Sequence, residues 1–414
     1  MKNFILAIIL ILNVGLVAQV QYNPIKIEHH IFNRGEKSDC YIVYKIPYKN
    51  LVFMKKGKSY FGGVNLTFEA KLMKKDSDVI IRDTKEISIN IESYDDTKSD
   101  KKYLEGLSKL ELDSGKYSIL PSFVLLNTKE SYKLSPFNVD AAANKIIMTP
   151  IIVESKTDSA NGGYKLVNYN GSIPHSLENF DVILLADNKI KSDLKCEVYQ
   201  KSKKVTERKI SLVEKDKYLI DKYNGQIFLT KNADGYFLNL YMIKDINKSL
   251  FEGKAAIKIS YPDSAKTISE FEQKVEWMDK PQFLAMGEPA AEILEIITDE
   301  KDIDFILDEA ELLNERLTQF WEKYDPNKET AFNELMSEFY NRADYALLNF
   351  NSVNKRNGAF SDRGKTYIKY GAPDKIDRVY TEKNQTNEVW IYSKLNKEFI
   401  FQDMDGLGNY TLLK

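Results

Sequence analysis

Hydrophobic and polar residues alternate with a period of two from Tyr22 to about Asn144. Val64, Leu66, Phe68, Ala70 and Leu72 share one side of that alternation, and Asn65, Thr67, Glu69 and Lys71 share the other. The pattern predicts a strand with one buried face. Ile42, Tyr44 and Ile46 precede it in the same rhythm, Ile87, Ile89 and Ile91 follow, and the cluster Lys74-Lys75-Asp76-Ser77-Asp78 marks a turn between strands. Leu112-Asp113-Ser114-Gly115-Lys116-Tyr117 then reads as the corner of an immunoglobulin-like sandwich, with the Tyr117 hydroxyl tied back to the backbone.

A second strand-rich stretch runs from about Lys145 to Pro281. Leu194, Cys196 and Val198 alternate, as do Tyr236, Leu238, Leu240 and Met242 after the turn Asn232-Ala233-Asp234-Gly235. Ala255, Ile257, Ile259 and Tyr261 keep the period, and Phe271, Val275 and Trp277 close it. Short strands at near-regular spacing, with no helical pattern between them, predict a sandwich and not a parallel sheet.

At Gly287 the period changes to that of a helix. Pro289 suits a first helical position. Ile303, Ile306, Leu307, Ala310, Leu313, Leu317, Phe320, Trp321 and Tyr324 predict one long helix ended by Asp325-Pro326. Phe332, Leu335, Met336, Phe339, Tyr340, Ala343, Leu347 and Phe350 predict another, with Thr330 as its cap. Asp302, Asp308, Glu309, Glu311 and Glu315 form a solvated acidic face. Beyond it the period returns to two. Tyr367, Lys369 and Gly371 alternate with Thr366, Ile368 and Tyr370, which predicts a strand, and Glu388 to Tyr392 and Glu398 to Gln402 predict two more.

The expected fold is therefore mainly β and multidomain. It comprises two immunoglobulin-like β-sandwiches (22–144 and 145–281), a helical segment (288–352) and a small C-terminal α+β module (353–414) that takes in the preceding helix from about residue 320. Composition agrees: 43% hydrophobic and 29% charged residues are those of a folded chain, and 25 Tyr and 21 Phe against 3 Trp favour strands.

Lys2, the apolar run from Phe4 to Val17 and the ending Leu16-Val17-Ala18 make a secretory signal peptide over 1–18, with Gln19 as the expected mature N-terminus. No later stretch is apolar for long enough to span a bilayer. The expected location is outside the inner membrane: periplasmic, outer-membrane-associated or secreted. Cys40 and Cys196 lie far apart in the chain, each in an alternating stretch, and are expected to be buried free thiols.

The C-terminal part resembles the GWxTD domain, a module of exported bacterial proteins. The resemblance rests on Trp321, Asp325-Pro326, Asn333-Glu334 and Tyr340-Asn341-Arg342-Ala343, then on Gly358-Ala359-Phe360-Ser361-Asp362-Arg363-Gly364. It continues through Tyr367-Ile368-Lys369-Tyr370-Gly371-Ala372-Pro373-Asp374 and Glu388-Val389-Trp390-Ile391-Tyr392, and closes on Phe399-Ile400-Phe401 and Asp405-Gly406-Leu407-Gly408-Asn409-Tyr410. In the naming motif Ala359 stands where the family has Trp, and Ser361 where it has Thr. The resemblance implies location and architecture and supplies no reaction.

Candidate chemistry is sparse. His29 and His30 are adjacent on a predicted strand and face opposite ways, a poor metal pair. His175 sits in Gly171-Ser172-Ile173-Pro174-His175-Ser176, which reads as a surface loop. Asp362, Asp374 and Asp377 lie near Arg363 as turn formers or, alternatively, as carboxylates of a glycan or peptide hydrolase. Asp403-Met404-Asp405-Gly406-Leu407-Gly408-Asn409 lacks the bidentate Glu of a calcium loop and reads as a hairpin turn. With a net charge of -2 and no basic stripe, nucleic acid is not an expected partner. No cofactor or metal site is expected. The expected function is a non-enzymatic cell-envelope interaction or structural role. The C-terminal module would be the recognition unit for an envelope protein or glycan, through Asp362, Arg363, Tyr370, Asp374, Trp390 and Tyr392.

Overall fold

The computed structural model describes residues 25–34, 36–74, 79–142, 145–155, 163–190, 192–264, 266–352, 356–380 and 385–413. The expected signal peptide lies outside the described residues. The chain is mainly β, with 48% strand and 21% helix. It forms two compact units: Met1–Ala143 with Asn168–Asn170 and Ile220–Ile227, and the remainder.

The first unit holds β1 (Lys26–Arg34), β2 (Lys37–Pro47), β3 (Met54–Lys56), β4 (Ser59–Leu72), β5 (Ile80–Ile91), β6 (Tyr103–Asp113), β7 (Lys116–Leu125), β8 (Ser131–Lys133) and β9 (Phe137–Asp140). One sheet runs β1-β2-β6; in the other, β4 pairs with β3, β5 and β7, and β7 with β8 and β9. The alternating residues predicted to face inward do so. Cys40, Ile42 and Tyr44 of one sheet share a core with Val64, Leu66, Phe68 and Ala70 of the other. The chain changes sheets between β6 and β7, at the expected corner. Tyr117 is buried there, and its hydroxyl meets the backbone of Asp113.

The next strands, which lie in the second unit apart from Ile220–Ile227, are β10 (Ile151–Glu154), β11 (Tyr164–Lys165), β12 (Ile173–Pro174), β13 (Phe180–Asp187), β14 (Leu194–Gln200), β15 (Lys203–Ile210), β16 (Leu212–Tyr223), β17 (Gln226–Lys231), β18 (Tyr236–Ile243), β19 (Gly253–Ser260) and β20 (Thr267–Glu276). They form two sheets, ordered β10-β13-β18-β16-β17-β11 and β12-β20-β19-β14-β15. Cys40 and Cys196 are both free and buried, and burial pushes the Cys196 thiol up to about 12.

Among the described residues no α-helix precedes residue 288, and four lie between 288 and 349: α1 (Glu288–Glu292), α2 (Glu300–Leu307), α3 (Leu313–Lys323) and α4 (Glu334–Asn349). Pro289 sits in the first turn of α1. The single long helix predicted over 303–324 is instead two helices with a short 3-10 turn between them. Arg316 holds the break, donating from Nη1 to the Phe305 carbonyl that α2 leaves open and from Nη2 to Glu309. Asn333, not Thr330, caps α4 by accepting from the Met336 N–H, while the Thr330 hydroxyl is turned to the Asn327 and Phe332 carbonyls.

The predicted strand at Thr366–Gly371 is a helix, α5 (Asp362–Tyr370). Its period was misleading because the helix is buried on two sides. Ile368 joins the core made by α1 to α4, and Tyr367 and Tyr370 join the aromatic core of the last sheet. That sheet is β21 (Lys375–Tyr380), β22 (Thr386–Tyr392), β23 (Lys397–Asp403) and β24 (Tyr410–Leu412), antiparallel and in sequential order. His175 is not a surface loop residue. It is buried after β12, its Nδ1 bonded to the Leu250 carbonyl and its ring against Trp277 and Phe332.

Candidate functional site

The segment Gly358–Gly371 builds the most elaborate local structure of the C-terminal region. The Ser361 hydroxyl accepts from the Gly364 N–H and donates to the Gly358 carbonyl, so it caps α5 and closes the preceding turn together. Gly371, with φ of 79°, ends the helix in a backbone region that L side chains avoid. Gly364 lies inside the helix with ordinary backbone geometry. It is needed because its backbone packs directly on that of Gly358, whose own Cβ would stand 2.4 Å from the Ala346 carbonyl of α4.

Asp362 and Arg363 tie this helix to the sheet. Asp362 does not bond the amides of its own turn. Its Oδ2 accepts from the Leu412 N–H of β24 at 2.8 Å. Because the Leu413 N–H donates inward to Ile400, alternation aims the Leu412 amide away from β23, and Asp362 closes that free rung of the edge. Arg363 donates from Nη1 to Oε2 of Glu388 at 3.1 Å and lies 3.9 Å from the centre of the Tyr410 ring. Glu388 is a buried carboxylate on β22. Arg378 donates to its other oxygen, Oε1, and the Trp390 indole N–H points at Oε2 from 3.4 Å. Guanidinium groups on both sides offset the cost of taking this carboxylate out of water. The same carboxylate holds the Arg378 pKa above its ordinary value.

Where α5 begins against β24 there is a cavity of about 260 Å³, lined by Phe350, Ser352, Ser361, Asp362, Arg363 and residues 408–411. Of the six residues singled out from sequence, only Asp362 and Arg363 reach it. Trp390 and Tyr392 are buried and present no exposed ring to a partner. Trp390 packs on Phe350 and Phe401, and the Tyr392 hydroxyl donates to the Gly371 carbonyl. Tyr370 meets Lys397, and Asp374 accepts from the Ser393 N–H as an ordinary turn carboxylate. Asp377 pairs with Lys375.

Glu388 had a sequence signal that went unused. It shares parity with Trp390 and Tyr392, which puts a carboxylate on the buried face of a strand. The other wall of the cavity comes from the hairpin after β23, where Asp403 accepts from the Gly406 and Gly408 N–H groups. Each Asp403 oxygen thus accepts one amide of that turn. Among the described residues no group of three or more His, Cys, Asp or Glu is placed to hold a metal ion, and no helix is long and apolar enough to cross a membrane.

The Ser361-Asp362-Arg363 run that caps α5 and ties it to the sheet belongs to the motifs that carry the sequence resemblance. Residues 263–412 match the GWxTD domain family, and this chain is a GWxTD domain-containing protein. The match begins upstream of the helices, so α1 to α5 and the last sheet all fall inside it. No curated protein matches the chain.

Proposed function

We propose that this chain is a non-enzymatic protein of the bacterial cell envelope, with the GWxTD domain as its recognition unit for an envelope protein or glycan. Export rests on the leader pattern of Met1 to Ala18. The strand domains serve as spacers or additional interaction surfaces, a role argued from fold class alone.

The observation that carries the binding reading is the make-up of the cavity at α5. At about 260 Å³ it is smaller than the ~300–1,000 Å³ that encloses a whole small ligand, so it suits part of a larger partner. Asp362 is the one carboxylate in its lining, and one of its oxygens is already committed to β24. Hydrolysis of a glycan by carboxylates needs two, about 5–9.5 Å apart across the bond.

Thr411 is exposed, lines the cavity and makes none of the ties described above. Thr411→Trp should therefore fill the cavity and leave the melting transition in place. Envelope extracts passed over the immobilised wild-type chain should yield a bound component that the variant fails to hold. Equal capture by both chains, or none by either, would overturn the assignment of recognition to this cavity.

A further inference from the structure

The two edges of the last sheet are finished differently. β24 has three residues, and the Asp362 carboxylate covers its outward Leu412 amide. β21 has six residues, pairs only with β22 among the described residues, and exposes Ile376, Val379 and Tyr380 by half or more. An uncovered strand edge bearing apolar side chains is a template for pairing with another strand. Its charges decide which strand can pair.

Two copies of one strand pair antiparallel about a two-fold axis normal to the sheet, so each residue faces one of the same parity. A register centred on Asp377 sets Asp377 against its own copy, and one centred on Arg378 does the same for arginine. Like charges directly opposite oppose both. The register centred on Ile376 sets Ile376 against itself, Lys375 against Asp377 of the other copy, and Asp374 against Arg378, each twice. Every charge then meets its opposite. Lys375 and Asp377 already pair at 2.7 Å within one chain, so dimerisation would make an alternating square of four charges.

We propose that β21 is a homodimerisation strand, joining the last sheets of two copies of this chain into one continuous eight-stranded sheet in the Ile376-centred register. A single strand pair buries less than the ~1,200 Å² of a standard interface, so the dimer is weak and depends on concentration and salt.

Sedimentation velocity of the purified chain over rising concentration at low salt tests this. Lys375→Asp and Asp377→Lys each turn two attractive pairs repulsive and should weaken the dimer by about tenfold or more. The double variant Lys375→Asp/Asp377→Lys should restore it. An equimolar mixture of the two single variants should also associate, since each then carries the charge the other needs. Unchanged melting transitions would show that the variants fold. A wild-type chain that stays monomeric up to about 1 mM, where the weakest specific contacts register, would overturn the proposal. So would a dimer indifferent to the single reversals, or single variants that fail to associate when mixed.

Discussion

A Cβ on Gly364 would stand 2.0 Å from the carbonyl oxygen of Gly358, so the two glycines join α5 to the turn before it, backbone on backbone. The contact involves main chain on both sides, and no side chain can move aside to relieve it. Gly364→Ala should therefore destabilise the domain by about 1–3 kcal/mol, as overpacking does, although alanine is the better helix former. A denaturation midpoint at or above that of wild type would show that the two backbones are not in contact.

Glu388 is the hub of two guanidinium groups and an indole. Glu388→Gln should cost roughly 3 kcal/mol, the lower end for a broken buried pair, because the exposed Arg378 can turn to water while Arg363 cannot. The double variant Arg363→Met/Glu388→Leu should recover most of that loss, since an apolar pair strands no charge. Urea titration of the single and double variants separates a charge penalty from a packing defect, for which the double variant would be the worse.

Asp362 and Ser361 act on different partners. Ser361→Ala removes a helix cap and should cost about 1 kcal/mol. Asp362→Ala removes a charged bond to an edge amide and should cost about 1–2 kcal/mol. Asp362→Asn keeps an acceptor and should cost less. A melting transition untouched by Asp362→Ala, together with lost capture of an envelope component, would mean that this carboxylate grips a ligand instead.

The motif was legible as a cluster and misread as a structure. Ser361 and Gly371 are ordinary start and stop signals for a nine-residue helix, and reading them ahead of the period would have found α5. Alternation at Thr366–Tyr370 won because the helix is sandwiched, and a two-sided helix loses the single stripe that marks one in sequence. Strands β4, β7 and β14 were readable because each buries alternate residues, whereas β2 and β13 are buried along nearly their whole length. The break between α2 and α3 could not be read from apolar spacing, because a side chain, Arg316, supplies the bond that ends α2. Asp362 and Arg363 were named as candidates, but their partners lie 50 and 25 residues downstream, separations that local pattern does not encode.

His175 gives the structure a pH dependence. Burial holds its pKa below the ordinary histidine value, so the folded chain favours the neutral ring. Its contribution is fully present above the unfolded pKa of about 6.5 and is lost as pH falls from there through the depressed folded value. Melting temperatures should accordingly drop from about pH 7 to pH 5, and His175→Phe should flatten that part of the slope. An unchanged slope in the variant would assign the dependence to other groups.

The bond from Asp362 to Leu412 spans fifty residues and also sets an order of assembly during synthesis. At about 5–20 residues per second, α5 emerges some 3–10 s before the strand that fastens it. Trp390, Tyr392 and Phe401, the core on which Tyr367, Tyr370 and Phe350 pack, are made within that interval on β22 and β23. A nascent chain halted short of β24 would therefore hold α5 beside its aromatic partners without the latch. Within this module β24 is thus the strand that fastens a packing already supplied by β22 and β23.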